Sequence, residues 1–119
     1  MAQHNELGKR GEELAINYLQ NKGYLIVEKN YRFHKAEIDI IAQKENVLIA
    51  VEVKTRTTSS FGNPQDFVNQ KKIQLLVKAM NNYVEEKDSN VEVRFDIIAI
   101  VLQNNVIEIE HLKDAFLYF

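Results

Sequence analysis

The run from Val47 to Lys54, VLIAVEVK, constrains this chain more than any other segment, because it is dense in β-branched residues and bounded by polar segments on both sides. It reads as a strand. Alternation sends Val47, Ile49, Val51 and Val53 to one face and Leu48, Ala50, Glu52 and Lys54 to the other, so an acid and a lysine share a surface. Upstream, Glu37 to Ala42 reads as a second strand, joined to the first through the polar turn Gln43-Lys44-Glu45-Asn46. The pair predicts a hairpin. By the same alternation Glu37, Asp39 and Ile41 share one face, with Ile38 and Ile40 opposed. A turn about residues 44 and 45 sets Asp39 directly or diagonally across from Glu52, and a slip of one residue would separate them.

The remaining elements follow from period and punctuation. Asn5 is a plausible N-cap for a helix from about Glu6 to Asn21, with Leu7, Leu14, Ala15 and Tyr18 at helical spacing and Lys22-Gly23 as its stop. Tyr24 to Lys29 reads as a strand, followed by a polar stretch from Asn30 to Lys35. Thr55 to Asp66 carries loop chemistry, and loops of that length are often functional. A second helix starts near Asn69, with Ile73, Leu76, Val77, Met80, Tyr83 and Val84 in one apolar stripe. Val91 to Leu102 and, after Gln103-Asn104-Asn105, Val106 to Glu110 complete the set as strands. The order α-β-β-β-α-β-β predicts an α/β fold with a mixed sheet flanked by helices, one domain over residues 1–119.

Composition excludes several chemistries. The chain has no cysteine, which rules out disulfides, thiolate metal sites and cysteine nucleophiles. Its polar N-terminus and short apolar runs lead us to expect a soluble, cytoplasmic protein. Fifteen Lys and Arg against 17 Asp and Glu give a formal net charge of -2, so no global positive field draws the chain onto nucleic acid. That counts against a generic coat protein. A nuclease is less constrained, since bound metal neutralises its acids and its phosphate contacts occupy one basic rim.

Glu52-Val53-Lys54 alone reads as a solvated ion pair, which is worth little. The weight shifts with Asp39, set in the otherwise apolar Ile38-Asp39-Ile40-Ile41, where an unpaired charge is costly. Two carboxylates a few ångströms apart repel, and a divalent cation resolves the conflict. Magnesium, or manganese in its place, suits Asp39 and Glu52, because it takes one or two carboxylates plus water and substrate phosphate. Lys54 is then placed to orient an attacking water or offset charge on the transition state. On the first helix Gly8, Glu12, Ala15 and Leu19 lie along one ridge, and the interior glycines Gly8 and Gly11 suggest close packing on the sheet. Glu12 falls at that packed edge, within reach of the metal site. Lys9, Arg10, Arg32, Lys35, Arg56, Lys71 and Lys72 are candidate phosphate contacts, with Arg32 and Arg56 flanking the catalytic segments. His4, His34 and His111 have no zinc spacing and read as surface residues, while Arg94 and Asp96 read as a structural ion pair. A small-molecule phosphohydrolase ranks last, for want of a phosphate-cradling glycine loop.

Taken in order, Gly8, Gly11, Glu12 and Ala15, Asn30 and Arg32, Glu37-Ile38-Asp39, Val51-Glu52-Val53-Lys54-Thr55-Arg56, Phe61-Gly62 and Arg94-Phe95-Asp96 form a specific set. From about Asn5 to Ile100 the chain resembles YraN-like members of uncharacterised protein family 0102, with Ala36 where that family usually has glycine. The family is similar to the PD-(D/E)xK nuclease superfamily, and its pattern resembles the archaeal Holliday-junction resolvases. The resemblance implies a restriction-endonuclease-like fold, with Glu12, Asp39, Glu52 and Lys54 in catalytic roles. It also implies an endonuclease acting on DNA, with branched or damaged structures as the expected substrates, and a homodimer by analogy with the resolvases. The rival expectation is a catalytically silent nucleic-acid-binding or scaffold module that keeps the fold.

Overall fold

The computed structural model describes residues 6–57, 68–87 and 90–115. Its elements are α1 (Glu6–Asn21), β1 (Leu25–Phe33), β2 (Ala36–Lys44), β3 (Val47–Arg56), α2 (Gln70–Glu86), β4 (Glu92–Gln103) and β5 (Val106–Leu112). This is the expected α-β-β-β-α-β-β order. The strands form a single mixed sheet in sequence order, parallel only where β3 meets β4 across the α2 crossover and antiparallel at every other pairing. Among the described residues no helix is long and apolar enough to cross a membrane.

Each face of the sheet is covered by one helix. Ala15 and Leu19 of α1 are buried with Ile40, Ala42, Ile49, Val51, Ile98 and Ile100. Leu76, Ala79, Met80 and Tyr83 of α2 are buried with Ile38, Ile41, Leu48, Ala50 and Phe95. The alternation of β3 is therefore as its sequence predicts, with the odd positions on the α1 side and the even ones on the α2 side. Because β3 is covered on both sides, its apolar residues run continuously up to Val51, and Glu52 is the first charge the strand admits.

Two expectations fail near the hairpin. The polar stretch from Asn30 to Lys35 is mostly strand, since β1 continues to Phe33 and only His34 and Lys35 form the turn. Tyr31, Arg32 and Phe33 pair with Ile38, Glu37 and Ala36, and Tyr31 and Phe33 pack on the α2 side of the core. Cross-strand pairing and burial override local polarity here. Within β1, Asn30 adopts φ 53°, a left-handed conformation that asparagine tolerates better than most residues. The second failure is the simple alternation of β2: Ile38 and Ile41 face α2, whereas Ile40 and Ala42 face α1. The change of face falls at Asp39, which the register of β1 sets opposite the left-handed Asn30, while the register shift of that pairing lies further back, between Ile26 and Glu28. The predicted N-cap Asn5, His4, most of the loop from Thr55 to Asp66 with its Phe61-Gly62, and the aromatic tail Phe116 to Phe119 lie outside the described residues.

Candidate active site

The hairpin register sets the site. Its ladder runs from Lys44↔Val47 to Ile40↔Val51, and one step further Asp39 stands opposite Glu52. There the backbone ladder gives way to a side chain, because the Val53 N–H donates to Asp39 Oδ2 at 2.8 Å. Beyond that point β2, β3, the start of α1 and the first turns of α2 surround a cleft of about 630 Å³. Glu12, Asp39, Glu52 and Lys54 all line it. The four sequence-predicted catalytic residues are thus brought together from three elements.

Glu12 reaches the cleft because α1 lies hard against β3. A Cβ at Gly11 would fall 1.7 Å from Thr55 Oγ1, so only glycine permits this approach. The close helix packing expected of the interior glycines is real at Gly11. Glu13, one position round, is exposed.

The electrostatics of the cleft are dominated by crowded acids. Asp39 is only 6% exposed, and burial, then the neighbouring charge of Glu52, raise its pKa to about 8. The Val53 N–H and Lys72 pull the other way, while Glu12 adds to the rise. Glu52, whose side chain is 11% exposed, forms an ion pair through Oε2 with Lys72 Nζ. Burial, the largest influence on Lys72, lowers its pKa, but the charge and hydrogen bond of Glu52, followed by Asp39 and Glu37, carry it above the ordinary lysine value.

The seven candidate phosphate contacts divide. Lys35, Lys71 and Lys72 line the cleft. Arg32 lies beside Glu37 at 3.6 Å, Arg10 borders a separate groove formed with residues 102–107, Lys9 is exposed on α1, and Arg56 is half-buried at the end of β3. Sequence reasoning undervalued Lys72, treating it as one surface cation among several. Its signal was present: Lys71 and Lys72 sit in the first turn of α2, where the helix dipole disfavours cations and where no acid is found.

A second polar cluster lies on the α1 side of β4 and β5. The pair expected between Arg94 and Asp96 is bidentate, with Nε and Nη2 donating at 2.9 Å each. His111 corrects our expectation of a surface residue, since its side chain is 4% exposed and its Nε2 lies 2.7 Å from Asp96 Oδ2. The register that pairs Ile98 with His111 turns the ring inward. Its Nδ1 is 3.2 Å from the Tyr18 hydroxyl, Arg94 also donates to Tyr24, and the Asp114 N–H donates to Asp96 Oδ1. Burial alone would raise the Asp96 pKa, but His111, Arg94 and the Asp114 N–H together hold it below the ordinary value.

Among the described residues no group of three or more His, Asp or Glu side chains is arranged to hold a metal ion. The Asp39–Glu52 pair nevertheless has donor chemistry that fits magnesium: two carboxyl groups on facing strands, one with its pKa raised to about 8 by burial first and then by the charge of the other.

Comparison with known proteins places these features in a group. The sequence model of the uncharacterised protein family UPF0102 matches residues 11–100, which include Glu12, Asp39, Glu52 and Lys54. A UPF0102 protein of Christiangramia forsetii is 65% identical over 119 residues, covering 100% of both chains. Another from Flavobacterium psychrophilum is 60% identical over the same span, again covering 100% of both. One from Bacteroides thetaiotaomicron is 47% identical over 116 residues, 98% of this chain and 96% of that one.

Proposed function

The chain belongs to the uncharacterised protein family UPF0102, and from that premise we propose that it is a metal-dependent endonuclease hydrolysing phosphodiester bonds in DNA. The observation that carries this reading is the convergence of Glu12, Asp39, Glu52 and Lys54 on one cleft, with a buried carboxyl held against another carboxylate. Pure architecture has no use for that repulsion, whereas groups strongly perturbed by burial and a like charge in a cleft mark functional sites. The likeness to the PD-(D/E)xK superfamily assigns the same residues. It suggests branched or damaged DNA as substrate.

Asp39 and Glu52 would hold magnesium, or manganese in its place. When bound, that ion polarises the scissile phosphate and makes water a better nucleophile at neutral pH. The chain's own groups do the rest. The Val53 N–H fixes Asp39 through one oxygen and so sets its orientation on β2. Lys54 shares the β3 face of Glu52, where an ammonium orients the attacking water and offsets charge gathering on the phosphate as the P–O bond to the leaving sugar oxygen breaks. Glu12 lines the same cleft from α1. Lys35 and Lys71, at the cleft margin, bind flanking phosphates.

The test is cleavage of labelled linear, flapped and four-way DNA with magnesium or manganese, comparing the wild type with Glu52→Gln and Lys54→Ala. Cutting by the wild type and its loss in both variants is the expected result. Wild-type binding of branched DNA with no cutting under any condition would overturn catalysis and favour a structure-recognising module.

A further inference from the structure

The cleft contains more acid than two metal ligands require, and one cation from outside the catalytic set already sits on it. Lys72 Nζ pairs with Glu52 Oε2, the same carboxylate that the proposed reaction assigns to magnesium. Its charge also acts on Asp39, and Glu37 acts on it in turn. This ammonium therefore neutralises a group of acids.

Lys72 is unusual in its own element. Asn69 caps α2, accepting from the Lys72 N–H at 2.8 Å, so the lysine stands in the first turn at the positive end of the helix dipole. A cation is disfavoured there unless acids outside the helix hold it. Local rules broken in this way are expected at functional positions. The two partners also differ in freedom. Glu52 is fixed on a covered strand with its side chain 11% exposed, whereas the Lys72 side chain is 43% exposed and ends a long flexible stem. The lysine can leave while the carboxylates stay.

Resting on the nuclease reading above, we propose that Lys72 is a resident counter-ion of the Asp39–Glu52 pair. Its ammonium occupies Glu52 in the metal-free protein, competes with the divalent cation, and so sets the cation affinity of the site. It is a positioning residue. It keeps the acids together before metal arrives and yields its place when metal binds.

A purely structural ion pair and a resident counter-ion predict opposite signs. Removing a structural partner disorders the acids and weakens metal binding. Removing a competitor strengthens it. Magnesium and manganese titrations, followed by calorimetry and by the shift in Tm, should show Lys72→Gln binding at least about tenfold tighter than the wild type, given the size of a close charge-charge interaction near a protein surface. Its metal-free Tm should be lower. Lys72→Arg, which keeps the charge, should stay near the wild-type affinity. In the wild type itself the Lys72 side-chain ammonium resonance should move as magnesium saturates the site. Equal or weaker metal binding by Lys72→Gln, or a Lys72 resonance that magnesium leaves unmoved while metal binds, overturns the counter-ion and leaves the metal site standing. Absence of metal binding in both the wild type and Lys72→Gln overturns the metal reading and this inference with it.

Discussion

Asp39 and Asp96 are both buried on central strands, yet they are opposites. Asp96, 0% exposed, is enclosed by the Arg94 guanidinium, the His111 ring and the Asp114 N–H, and its pKa is held below the ordinary value. Asp39, 6% exposed, has one backbone donor and faces Glu52, and its pKa rises to about 8. Fixed donors that saturate a buried carboxylate make it part of the architecture. A buried carboxylate set against another acid stores a demand for positive charge, which a ligand can meet. The difference between the two aspartates separates scaffold from candidate site within one sheet.

The largest effect that tests this contrast is on stability. Asp96→Asn should cost about 3–5 kcal/mol by urea unfolding, the usual consequence of breaking a buried ion pair from one side. Asp39→Asn should instead raise metal-free stability at pH 8, by about 1 kcal/mol, because it removes a repelled charge. The pH dependence has opposite signs for the two. Native Asp39 keeps its proton to about pH 8, whereas the unfolded chain releases it in the ordinary carboxylate range, so its contribution falls as pH rises between those points. Asp96 stays charged to a lower pH than in the unfolded chain, so its contribution is present above the ordinary carboxylate range and is lost as acid protonates the native group. Unfolding across pH in a chelator should lose its neutral-side decline in Asp39→Asn and its acid-side decline in Asp96→Asn. Parallel profiles for the two variants would dissolve the contrast.

The same contrast accounts for what was legible in the sequence. Glu52 and Lys54 could be placed on one face because a β-branched strand has a period of two and needs no tertiary information. Asp39 could be set across from Glu52 because a short polar turn fixes hairpin register. His111 could not be placed, since its burial depends on the pairing of β5 with β4 and on Asp96 two strand positions away from its cross-strand partner Ile98. The change of face at Asp39 was equally hidden. It lies opposite the left-handed Asn30 on the neighbouring strand, in a stretch whose polarity reads as loop. Lys72 belongs between these cases, because its contact with Glu52 is long-range but its place against the helix dipole was visible.

A smaller effect separates the position of Glu12 from its charge. Gly11→Ala drives a methyl into Thr55 and must lift α1 from β3, at a cost of about 1–3 kcal/mol. DNA cleavage should fall with it, because Glu12 moves with the helix while Asp39, Glu52 and Lys54 remain. Thr55→Ala in the same chain removes the Oγ1 and Cγ2 contacts and should recover part of both losses. Full stability and full cleavage in Gly11→Ala would mean that the approach of α1 does not position Glu12.

The smallest effect reaches the acid cleft through α2 alone. Asn69→Ala removes the side-chain acceptor for the Lys72 N–H and should cost about 1 kcal/mol, as the loss of an N-cap generally does. Because the cap serves the turn that carries Lys72, the loss should be local. Amide hydrogen exchange should quicken in the first turn of α2, while amides beside Asp96 and His111 keep their protection. Loosening that turn also weakens the hold of Lys72 on Glu52, so magnesium affinity should rise, though by less than in Lys72→Gln. A change confined to stability, with metal affinity unmoved, would show that the lysine stem reaches Glu52 whether or not its backbone is capped. The counter-ion would then be set by the side chain and not by the helix that presents it.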